Sequence, residues 1–67
     1  MRKNLKEARQ KAGMTQKEVA EKLGITPRAY QQIEAGEYQG KIEHWDKLEI
    51  LFDIHQKKLR ELFSTTD

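Results

Sequence analysis

An all-α fold of five short helices is what this sequence predicts, on three observations. Its 67 residues contain one proline and four glycines, and three of those glycines stand where helical stripes of apolar residues run out. Thr15 to Glu18 reads as a helix-opening capping box, and Thr26-Pro27 as a second helix start. The length allows one small core, so the expectation is a single domain over residues 1–67, without internal repeat or linker.

The elements follow in order. Leu5, Ala8 and Ala12 recur at helical spacing while Lys6, Glu7, Gln10 and Lys11 take the other face, which places a first helix at about 3–12, ended by Gly13. In the capping box the Thr15 hydroxyl accepts from the backbone three residues on and Glu18 reaches back. Val19, Ala20 and Leu23 then form the buried stripe of a second helix closed by Gly24. Thr26 caps a third helix with Pro27 at its first position, running to Ala35 and stopping at Gly36, with Ile25 plugging the corner before it. After a polar loop with Gly40, the stripe of Ile42, Trp45, Leu48 and Phe52 predicts a fourth helix at about 42–52. Leu59, Leu62 and Phe63 predict a fifth at about 56–63, with His55 a poor cap at its start.

Composition excludes several classes of function. With no cysteine, disulfide scaffolds, thiolate zinc sites and thiol chemistry are absent. The longest purely apolar stretch, Ile50-Leu51-Phe52, is far short of the roughly 20 residues of a membrane span. The start Met1-Arg2-Lys3-Asn4 leads into charged sequence with no apolar signal region, so the expectation is a soluble, cytoplasmic chain. His44 and His55, eleven apart on different segments, have no third ligand nearby, and Ser64, Thr65 and Thr66 have no neighbouring base. Neither a metal site, a cofactor nor an enzyme activity is expected.

Charge is unevenly distributed. Residues 1–28 carry eight Lys or Arg against three Glu, a net +5, and residues 29–67 a net −3, within an overall +2. Such asymmetry suggests a basic face for an anionic partner and an acidic face that avoids it.

A helix ending in glycine, a turn of about three residues and a second helix opened by a threonine cap is the helix-turn-helix pattern. In its second helix Tyr30 and Ile33 must face the core, which leaves Pro27, Arg28, Gln31 and Gln32 outside. Guanidinium and amide groups read base edges, Arg on guanine and Gln on adenine, so these four are the candidate base-reading residues. Thr15, Gln16 and Lys17 stand at a positively polarised helix end suited to a phosphate, with Tyr38 and Lys41 in and after the following loop as further phosphate candidates.

The residues Leu5 to Gly36, with Arg9, Gly13, Thr15-Gln16, Val19-Ala20, Leu23-Gly24-Ile25-Thr26, Ile33-Glu34 and Gly36 in register, resemble the Cro/repressor class of bacterial and phage helix-turn-helix regulators. Trp45, Leu48, Phe52, Ile54 and Leu59 match the apolar spacing of that family's last two helices. The resemblance implies a five-helix lambda-repressor-like domain that binds double-stranded DNA, regulates transcription, acts as a repressor and is of bacterial, phage or mobile-element origin, associated with the nucleoid. It implies that Gln16 contacts a phosphate and braces the first residues of the reading helix. It also implies that Arg9 and Glu34 form a structural ion pair. Pro27 departs from the family, where a polar reader often stands, and offers only an apolar contact to a thymine methyl. Glu49 departs where alanine is usual.

Other readings stay open on sequence alone: an antitoxin of the same fold, or a helical protein-interaction module without DNA reading. The working form is expected to be a homodimer on palindromic half-sites, because one reading helix contacts only a few base pairs. On the fourth helix Ile50 lies about 160° from the centre of the stripe of Trp45, Leu48, Leu51 and Phe52. It is expected to face outward as a dimer contact, with Leu62 and Phe63 completing the patch.

Overall fold

The structure, a computed structural model, describes residues 1–62 and is all-α over that range. Its helices are α1 (Lys3–Lys11), α2 (Gln16–Leu23), α3 (Pro27–Ala35), α4 (Ile42–Phe52) and α5 (Gln56–Leu59). No described helix is long and apolar enough to cross a membrane.

Every helix contributes to one core. Leu5 and Ala8 come from α1, Val19, Ala20 and Leu23 from α2, Tyr30 and Ile33 from α3, Trp45 and Leu48 from α4, and Leu59 from α5. Full burial of one such aliphatic or aromatic side chain stabilises by about 1.5–3 kcal/mol, which is why short helices without independent stability hold together here. Met14, Ile25, Leu51, Phe52 and Ile54 pack on the rim of the cluster.

Two helix ends shape the motif. At Gly24 (φ 74°) the Ile25 N–H bonds the Ala20 carbonyl and the Gly24 N–H the Glu21 carbonyl. At Gly36 (φ 85°) the Glu37 N–H bonds Gln32 and the Gly36 N–H bonds Ile33. Both are Schellman closures, which need a left-handed residue and so favour glycine. The first turns the chain from α2 directly into α3, and the two helices pack against each other.

Three sequence expectations are corrected. Ala12 is exposed and caps α1 rather than joining its stripe, because the helix has already ended at Lys11. Ile42 is 73% exposed: it opens α4 ahead of the buried turn, and His44, Trp45 and Leu48 form the stripe instead. The fifth helix ends at Leu59, well short of residue 63: the Arg60 N–H still bonds the Gln56 carbonyl four residues back, but the Glu61 N–H bonds Lys58 only three residues back, so the helical ladder stops. Leu62 is therefore outside any helix, and Phe63 lies outside the described residues.

Candidate nucleic-acid interface

The outer face of α3 is built by its own periodicity. Thr26 Oγ1 accepts from the Ala29 N–H at 3.1 Å, and Pro27 occupies the first turn, where a missing N–H costs nothing. Tyr30, Ile33 and Glu34 face inward and are buried. Pro27, Arg28 and Gln31 are consequently exposed and Gln32 half-buried, and Arg28, Gln31 and Gln32 border one open hollow with Ala35 and Glu37.

Glu37 is a residue that sequence reasoning missed. The Schellman turn at Gly36 folds it back beside Gln31 and Gln32, placing a carboxylate at the edge of an otherwise cationic and amide surface. A carboxylate there accepts from a cytosine amino group and repels phosphate. The signal was present: a residue following a helix-closing glycine returns over the last turn.

The start of α2 carries the phosphate candidates. Thr15 Oγ1 accepts from the Glu18 N–H at 3.1 Å and Glu18 Oε1 accepts from the Thr15 N–H at 2.8 Å, so the capping box is closed. Lys17 is exposed. Gln16 is half-buried, and its amide donates to Glu34 Oε1 at 3.1 Å. The brace from Gln16 thus reaches the end of α3 and not its first residues, a correction that follows from where the Glu34 carboxylate sits.

That carboxylate, only 2% exposed, is the hub linking three helices. It accepts from Arg9 Nε at 2.8 Å and Nη2 at 3.2 Å, from Gln16 Nε2, and from the Tyr30 hydroxyl at 2.7 Å. Arg9 Nη1 also donates to the Met14 carbonyl at 2.9 Å, fixing the α1–α2 turn. Burial alone would raise the Glu34 pKa; the hydrogen bonds from Arg9, Tyr30 and Gln16 outweigh it and hold the carboxyl below its usual range. Arg9 is pushed up by its bond to Glu34, and Tyr30 by burial and then by the same carboxylate. Tyr30 was legible as a core residue, but its hydroxyl bond to Glu34, one helical turn on, was not.

Tyr38 and Lys41 are exposed in the segment joining α3 to α4. The Trp45 indole N–H donates to the Gln39 carbonyl at 2.8 Å, which pins that segment to the core. The histidines are held in local caps: His44 Nδ1 accepts from the Lys41 N–H at 3.4 Å and His55 Nδ1 from the Lys57 N–H at 3.0 Å. Glu49 Oε1 accepts from the Gln56 backbone and side chain, joining α4 to α5. Ile50 is 82% exposed and borders a hollow with Lys22, Leu23, Lys47 and Leu51. Leu62 borders a different one, beside Gly36 and Arg2.

A short helix closed by glycine, a tight turn and a rigidly braced second helix with an Arg/Gln face define a helix-turn-helix. The sequence profile of the helix-turn-helix family of Cro/C1 type matches residues 5–55, and the chain belongs to that family. It is a DNA-binding helix-turn-helix regulator with the five-helix lambda-repressor-like fold. Comparison with curated proteins and with solved structures gives no match.

Proposed function

We propose that this chain is a single-domain, sequence-specific transcriptional repressor of bacterial, phage or mobile-element origin, working at the nucleoid as a homodimer on palindromic half-sites. The observation that carries the reading is the outer face of α3: Arg28, Gln31 and Gln32 stand together on a helix whose inner face is tied by Glu34 to α1 and α2. Inserted in a major groove, Arg28 pairs with guanine and the glutamines with adenine, while Pro27 meets a thymine methyl. Lys17 and the start of α2, together with Tyr38 and Lys41, hold the flanking phosphates. Repression follows from occupancy of a promoter by such a dimer.

Dimerisation is supported by the exposed face of α4. Lys47, three residues before Ile50, lies about 60° round α4 from it, and Asp53, the left-handed residue that closes the helix, follows Ile50 by three; both are exposed. Two copies of α4 packed antiparallel about Ile50 place Lys47 of each opposite Asp53 of the other, so the face is self-complementary as a two-fold interface requires.

Selection of bound sites from random duplex DNA at fixed salt tests the reading. The expected product is one short half-site in inverted repeat, its centres about 10 base pairs apart or a multiple of that. Recovery of no enriched sequence overturns the assignment.

A further inference from the structure

Arg2 is buried, 5% exposed, and has no carboxylate partner among the described residues. Cations this buried are ordinarily paired with acids. Here the partners are carbonyls. Nη1 donates to the Ile33 carbonyl at 2.6 Å and the Tyr38 carbonyl at 3.1 Å, Nε donates to the Arg60 carbonyl at 3.1 Å, and the backbone N–H donates to the Glu34 carbonyl at 2.8 Å. The guanidinium carbon lies 5.2 Å from the centre of the Trp45 ring, a cation–π distance.

Two of these carbonyls, Ile33 and Glu34, belong to the last turn of α3. A helix C-terminus is negatively polarised and is stabilised by a cation, yet α3 has no basic residue in its own last turn. Arg2 supplies that charge from the start of the chain, 31 positions from Ile33. It also ties the Tyr38 segment and the end of α5 to the same point.

We propose that Arg2 is a positioning residue for the reading helix: by clamping the C-terminal end of α3 it sets the angle at which Arg28, Gln31 and Gln32 meet base edges. A nine-residue helix is about 13 Å long, so a tilt of about 10° moves its far end by about 2 Å, more than hydrogen bonding tolerates. Arg2 bonds the carbonyls of Ile33, Glu34, Tyr38 and Arg60 and makes no hydrogen bond to Arg28, Gln31 or Gln32, which distinguishes this role from base contact. The inference rests on α3 reading DNA.

The test uses the full chain, the duplex recovered by selection and a scrambled duplex of equal length. Preference of the wild type for the selected duplex establishes the reading; without that preference the DNA assignment fails, and this proposal with it. Given that preference, Arg2→Met is expected to remain helical by circular dichroism at 10 °C. It should lose at least about fivefold in affinity for the selected duplex, the low end for one bidentate base pair. Affinity for the scrambled duplex should change less than about twofold, with the salt dependence unaltered. Emission of Trp45, the only tryptophan, should shift with loss of the guanidinium. Arg2→Lys, which keeps the charge but cannot span three carbonyls, should fall between. Equal losses on both duplexes with a reduced salt slope would make Arg2 a phosphate contact and overturn the proposal. Unchanged affinities despite a lowered Tm would make it merely structural. If Arg2→Met does not fold, Arg2→Lys carries the test; unfolding of both overturns the proposal in favour of a requirement for folding.

Discussion

The Arg9 guanidinium meets the Glu34 carboxylate in a two-point contact, Nε to Oε2 at 2.8 Å and Nη2 to Oε1 at 3.2 Å, across 25 positions of sequence. This pair joins α1 to α3. Its side chains retain 12% and 3% exposure, so little water is present to replace a lost partner. We predict that Arg9→Ala, which leaves Glu34 buried without its cation, costs up to about 3–5 kcal/mol, reduced where Arg9 remains partly solvated. Lys11→Ala on the same helix, at an exposed position, should stay within about 0.5 kcal/mol. Thermal melts of the two variants check this, since each kcal/mol moves Tm by about 4–8 °C at this size.

The same cluster predicts a pH dependence with a defined sign. The Glu34 pKa is lowered on folding, so its contribution is complete above the unfolded carboxylate value of about 4.3 and is lost as pH falls through the folded value. The Tyr30 pKa is raised by burial, so its contribution is complete below the unfolded value of about 10 and is lost as pH rises beyond it. Urea midpoints measured across pH should decline on both limbs. Glu34→Gln is expected to flatten the acid limb and Tyr30→Phe the alkaline one; an unaltered acid limb in Glu34→Gln would assign acid unfolding to other carboxylates.

Base reading and phosphate holding separate by their response to sequence and salt. We predict that Arg28→Ala or Gln32→Ala costs about 1–3 kcal/mol on the selected site and relaxes preference at one base pair. Lys17→Ala should weaken selected and scrambled duplexes alike and lower the salt slope by about one. Binding titrations at several salt concentrations decide it, and equal losses on both duplexes for all three variants would show that α3 does not read bases.

The α4 face predicts a charge-sensitive dimer. Ile50→Lys should keep the helical signal of the monomer and abolish cooperative binding to a two-half-site duplex. Lys47→Asp alone and Asp53→Lys alone should each weaken cooperativity, and the double exchange should restore most of it, because the proposed two-fold would bring these positions together. Sedimentation on and off DNA provides the check: undiminished binding by Ile50→Lys, or single exchanges without effect, would place the interface elsewhere. Phe63, the third dimer candidate, lies outside the described residues.

Much of this protein was readable from local chemistry. The Thr15–Glu18 capping box, the Thr26-Pro27 start and the glycine ends at Gly24 and Gly36 mark their boundaries because caps depend on residues within one helical turn of each other. The position of Arg28, Gln31 and Gln32 on the outside of α3 followed equally from period alone. Local rules failed at the fifth helix, which looked apolar through residue 63 but stops at Leu59; the carbonyls of Lys58 and Arg60 at its end accept from Asn4 and Arg2, 54 and 58 positions away.

The sequence by itself determined where α1 to α4 run, which faces of α2 and α3 are apolar and which side chains stand on the outer face of α3, since these depend on backbone preference and spacing over a few residues. The resemblance implied the pairing of Glu34 with Arg9, but the tertiary structure alone decided that the same carboxylate also gathers Gln16 and Tyr30. It alone decided that a buried arginine, Arg2, closes the end of α3. Their physical basis is the same: a buried charge must find partners wherever packing brings donors or carbonyls together, and that meeting is written in no local pattern.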